Sequence, residues 1–142
     1  MELVEAYHML ADPFRRAHHD VMRTVKIREP EAKRSGLKSL FGKSRQQSKE
    51  ADGLFKLGVD SFRAEEYEQA IQAFKRVWKL NQEYPGVRYN MAGAFLAIER
   101  LSDCSQWLQE HIAKAKDDAE ARGLLSRVAS LIQKKRAGGR AA

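Results

Sequence analysis

Four histidines, one cysteine and two pairs of adjacent carboxylates are the side chains of this 142-residue chain whose types suit acid–base, nucleophilic or metal chemistry. His18 and His19 are neighbours, so on a helix they point about 100° apart and cannot grip one ion as residues four apart can. No cysteine lies near that pair. His8 and His111 add no spacing that completes a ligand set, so no metal is expected. Glu65-Glu66 and Asp117-Asp118 read as charged turns in water. No glycine loop built to cradle phosphate and no nucleophile–base spacing occurs. The residues therefore predict no catalytic site, no metal and no cofactor.

Charge narrows the class further. The formal net charge is +7, but it is unevenly spread. Residues 21–50 hold nine basic and three acidic side chains, and residues 127–142 hold five basic and none acidic. Residues 51–126 carry ten basic and twelve acidic, so the central part is slightly acidic. A nucleic-acid footprint needs its cations on one folded face, which disfavours nucleic acid as partner. Residues 33–45 mix five cations with Leu37, Leu40 and Phe41. That segment reads as a tether, with contact to an anionic membrane surface as a weaker alternative. No apolar run is long enough to span a bilayer, no secretory leader opens the chain, and a single cysteine fits a reducing compartment. The cytoplasm is the expected location.

The elements that organise these residues repeat. Gly58 and Ala92 are 34 residues apart, and the same interval relates Leu57 to Met91, Phe62 to Leu96, Tyr67 to Leu101, Ala70 to Cys104 and Phe74 to Leu108. Small stays small and bulky stays bulky, the substitution a packed core tolerates best. Cys104 is thus expected to be a buried small hydrophobe and not a nucleophile. Leu124, Leu125, Val128, Leu131 and Ile132 then form one more apolar stripe at three- and four-residue steps.

Leu54, Leu57, Gly58, Tyr67, Ala70, Phe74 and Leu80 stand in the pattern of a tetratricopeptide repeat, and a period of about 34 residues is that family's unit. The resemblance implies helix–turn–helix units that bury their apolar faces by stacking and bind proteins on a concave face. It implies an all-α fold, a short helical solenoid with two units at 51–118, a capping helix at 119–134 and a basic disordered tail at 135–142. Helices are expected near 51–63, 67–80, 85–98, 101–115 and 119–134. The groove positions that the resemblance implies are Phe55, Val59, Phe62, Asn90, Gly93 and Ala94, exposed to a protein or peptide ligand. One branch of the family grips a terminal carboxylate with lysines, asparagines and further basic residues. Only Asn90 matches that set, while Phe55, Val59, Glu120 and Leu124 stand at the others. A carboxylate ligand is therefore not expected, and apolar contact is expected to dominate.

The amino-terminal residues carry a second resemblance. Ala6, Tyr7, Leu10, Asp12, Pro13, Arg16 and Asp20 match the end of a J domain, with His19 in place of a tyrosine. By that resemblance residues 1–22 are a remnant, truncated before the His-Pro-Asp loop that stimulates a heat-shock chaperone ATPase, and residues 23–50 form a basic flexible linker. The remnant is expected to be loosely held, through Leu3, Tyr7 and Leu10 if at all. The function expected is a non-catalytic protein–protein interaction module. The alternatives are a fragment of a J-domain co-chaperone and, below it, peripheral membrane or nucleic-acid binding through the linker.

Overall fold

The computed structural model describes residues 12–29 and 42–141. Asp12 opens the first helix, α1 (Pro13–Thr24), where its Oδ1 accepts from the amides of Phe14 at 3.0 Å and Arg15 at 3.3 Å. Pro13 follows in the first turn, where a missing N–H costs nothing. Five more helices come after it: α2 (Gly42–Arg63), α3 (Tyr67–Leu80), α4 (Val87–Ala97), α5 (Leu101–Lys114) and α6 (Ala119–Ala141). There are six helices and no strand among the described residues. Each of α2 to α5 packs on the next helix in chain order, and α1 packs on α6. The fold is an all-α, short helical repeat solenoid, with α2–α3 and α4–α5 as its two units and α6 behind them.

The units turn identically. Glu65 and Glu99, 34 residues apart, both take a left-handed φ of 62°. In the first turn Glu65 N donates to the Phe62 carbonyl and Glu66 N to that of Ser61; in the second Glu99 N donates to Leu96 and Arg100 N to Phe95. These paired bonds are the helix-ending arrangement that satisfies the last carbonyls. Inside the first unit a Cβ added at Gly58 would lie 2.4 Å from the Phe74 ring. Gly58 is therefore a close-approach position between α2 and α3. Ala70, Phe74, Ala92, Cys104 and Leu108 are all fully buried. Burial alone pushes the Cys104 thiol up to about 12, so it stays protonated and unreactive.

Four expectations need correction. The first repeat helix begins at Gly42 and not at 51, because Lys43 to Glu50 are mostly good helix formers and extend it. Residues 135–141, expected to be disordered, continue α6, although Gly138 and Gly139 are poor helix formers. Residues 13–22 of the J-like stretch lie in a docked helix and are not loosely held, since Phe14, Ala17, Val21 and Met22 all pack on the core. Finally, Leu57 is 54% exposed although its counterpart Met91 is buried. The helix α4 has α3 before it and α5 after it, whereas no unit precedes α2 among the described residues. Leu3, Tyr7, Leu10 and most of the basic segment 33–45 lie outside the described residues. No described helix is long and apolar enough to cross a membrane.

Candidate partner-binding groove

The first helices of the units, α2 and α4, and the capping α6 are crossed by one strip of chain, α1 with residues 25–29. Its path is set by a series of contacts. Lys135 Nζ lies 5.5 Å from the Phe14 ring centroid, and Arg127 Nη1 donates to Thr24 Oγ1 at 2.9 Å, so α1 runs antiparallel to α6. Along α4, His18 Nε2 donates to the Leu96 carbonyl at 2.7 Å, Val25 faces Gly93, and Arg28 meets Asn90. Glu29 then pairs with Arg63 at the end of α2. The strip fills the face where a partner was expected.

Helix α1 ends at Val25, which turns extended at φ −73° and ψ 120°. Three residues later Asn90 reads the main chain. Its Oδ1 accepts from Arg28 N at 2.8 Å, and its Nδ2 donates to the Arg28 carbonyl at 2.7 Å. In an extended chain both groups of one residue point to the same side, so the carboxamide acts like a neighbouring strand. The exchange leaves no orphan on Asn90, which is 1% exposed. Gly93 makes room beside it: a Cβ there would meet Val25 Cγ1 at 3.3 Å. Gly86, at φ +80°, opens α4 in a conformation that side chains resist, and a Cβ there would lie 3.4 Å from Arg28 Cβ.

The Arg28 side chain is held separately. Its guanidinium carbon lies 3.9 Å above the Tyr89 ring centroid, a cation–π contact, and its Nη2 donates to Asp118 Oδ2 at 2.6 Å. His111 Nε2 donates to the same oxygen at 2.8 Å, which places that ring's proton on Nε2. Burial works against the Asp118 charge. Hydrogen bonds from His111, the Ala121 amide and Arg28, with the Arg28 charge, outweigh it and hold the carboxyl down at about 2. Tyr89 O–H donates to Glu120 Oε1 at 3.2 Å, and burial followed by the Glu120 charge raises that phenol. This end of the groove is acidic and aromatic. It suits a cation, which the sequence reading did not anticipate.

Of the six groove positions expected, the structure gathers three around the strip. Asn90 and Gly93 touch it, and the Phe62 ring lies 3.8 Å from the point where a Gly93 Cβ would stand. Phe55, Val59 and Ala94 are buried in the core and not exposed to a ligand. Phe55 is held 5.5 Å from the Phe74 ring and 4.8 Å from that of Tyr84, on the inner side of α2. Polar anchors stand beside the apolar contacts expected, since Asn90 and Asp118 hold Arg28 while Val25 and Ile27 pack on the core. Tyr89, His111 and Asp118 were missed, as were residues 25–28, expected in a flexible linker. One signal pointed to them. The stretch Val87–Ala97 holds a single charge, Arg88, in a whole helix. A helix apolar on every side is covered on every side.

No curated protein and no solved structure matches the chain. A family model described as Tetratricopeptide repeat matches residues 61–128, from the end of α2 through α3, α4 and α5 into α6. With the repeated turns and the stacked helix pairs, that match supports a tetratricopeptide repeat protein.

Proposed function

We propose that this chain is a protein–protein interaction module, as tetratricopeptide repeats generally are, without catalysis of its own, and that its concave groove takes an extended segment of a protein partner, in the cytoplasm. The observation that carries the reading is Asn90. A buried carboxamide that pairs with both main-chain groups of one residue recognises extended peptide whatever its side chains, and the rest of the groove is shaped around that contact. Gly93, kept without a Cβ where Val25 crosses, supports the same reading. The test is affinity capture with two variants of the 142-residue chain. Arg28→Ala loosens the strip that now fills the groove, and Gly93→Leu obstructs the groove itself. A defined set of proteins retained by the first and lost by the second is expected. Identical sets from both would refute groove binding.

A further inference from the structure

We infer that Tyr89, Asn90, His111 and Asp118 form an arginine-reading subsite, and that the partner bears an extended aliphatic-x-aliphatic-Arg segment competing with Val25–Arg28. The inference rests on the proposed groove function and specifies its ligand. What the groove recognises in its own chain is portable. Asn90 binds the Arg28 peptide group, which any peptide supplies. The guanidinium lies 3.9 Å from the Tyr89 centroid while donating at 2.6 Å to Asp118 Oδ2, the oxygen that His111 Nε2 holds at 2.8 Å. Stacking one face while bonding in plane needs a planar, forked cation, which lysine is not. Two residues on the amino-terminal side of Arg28 also matter. Ile27 is half-buried against the core, and Val25 Cγ1 reaches the space left by Gly93. Lys26 and Glu29 are exposed, so the groove reads little there.

Nothing in these contacts requires the occupant to be covalently joined. The internal segment nevertheless has the advantage of high effective concentration. A partner in trans sees only the fraction of molecules with an open groove, so its apparent affinity is lowered by that fraction. The chain thereby sets a threshold, and only a segment with the same chemistry at high local concentration opens it.

Fluorescence anisotropy with a labelled peptide of residues 21–29 tests this on the full chain. The unaltered chain should bind it weakly, and Arg28→Ala at least about tenfold more tightly, because the competitor has lost its anchor. Arg28→Lys serves as a second host, with circular dichroism confirming that each variant is helical. Replacing the peptide's final arginine by lysine or alanine should weaken binding to the Arg28→Ala chain by about tenfold or more. Equal binding of the arginine and alanine peptides would overturn the arginine subsite and leave groove binding standing. Binding to the unaltered chain as tight as to both variants would overturn the competition. No binding of either peptide by any chain would overturn both the subsite and the groove reading.

Discussion

The first helices of the two units occupy equivalent places in the repeat and meet different surroundings. From Ala51 to Arg63, α2 shows one buried face, with Ala51, Phe55, Gly58 and Val59 inward and Gly53, Lys56, Leu57 and Asp60 outward. Every residue of α4 is buried except Arg88 and Ala97. The difference is not in the repeat, because both helices pack on their partners in the same way. Part of it comes from position in the stack, since α3 and α5 both flank α4 while α2 packs mainly on α3, and part from the strip of chain laid on α4. At Asn90 and Gly93 the covering element is the strip.

The comparison is sharpest at the close approach inside each unit. Unit one pairs Gly58 with Phe74, and unit two places Ala92 and Leu108 at the same positions. A larger ring faces no Cβ, and a smaller side chain stands where a Cβ exists. Gly58→Ala alone should cost about 1–3 kcal/mol, since its Cβ meets three Phe74 ring atoms at under 3 Å. Combined with Phe74→Leu, which recreates the second unit's pair, it should cost less than the sum of the two changes. Thermal melting of the two single variants and the double variant measures this. Strict additivity would show that the units are not packed alike.

A second break compares Asn90 with its counterpart in the first unit, Lys56, which is exposed. Asn90→Ala strips partners from the Arg28 N–H and carbonyl and should cost about 1–3 kcal/mol in docking of the strip. Lys56→Ala should change stability by no more than about 0.5 kcal/mol. Hydrogen exchange at the Arg28 amide reads the first directly: it should become fast in Asn90→Ala and stay slow in Lys56→Ala. Equal exchange in both variants would remove the role given to Asn90.

These pairs also show what the sequence discloses. The period was legible because close approaches tolerate few volumes, so Gly58, Ala70, Phe74 and their partners repeat in size. The bounds of α3, Tyr67–Leu80, were legible from the same pattern. The start of α2 and the end of α6 were not, because a polar run has no apolar stripe to announce it. The groove was half legible. Asn90 and Gly93 followed from the family register, whereas Phe55 and Ala94 face inward by a rotation that the register alone does not resolve. The strip was illegible because Val25–Glu29 has no periodicity of its own. Its meaning lies in contacts such as Arg28 with Asn90 and Asp118, made between residues far apart in the chain.

Acid provides the third test. The Asp118 carboxyl, facing Arg28 and His111 and close to Tyr89, is held below its ordinary value at about 2. A depressed carboxylate takes up a proton more readily when the strip is undocked or the chain unfolded. Its contribution is therefore complete above about pH 4 and is lost as pH falls from there through 2. The Arg28 amide resonance in NMR spectra should move toward its undocked position across that window. In Asp118→Asn the movement should be absent. A transition of the same size in that variant would assign it to another carboxylate.

The smallest effect is expected where the two units agree. Glu65 and Glu99 both hold φ at 62°, a conformation that costs an L-residue roughly 1–2 kcal/mol. Glycine removes that strain and loses about 0.5–1 kcal/mol through the greater freedom of its unfolded chain. The net gain for Glu65→Gly or Glu99→Gly should therefore be a few tenths of a kcal/mol up to about 1 kcal/mol. The difference between the two sites should be smaller than either gain, since the carbonyl-satisfying bonds after Phe62 and Leu96 are the same. Neither glutamate reaches the groove, so the peptide affinity of the Arg28→Ala chain should be unchanged by either substitution. Urea denaturation of both variants checks the equality. A gain at Glu65 with a loss at Glu99 would mean that the second turn is shaped by the occupied groove and not by the repeat.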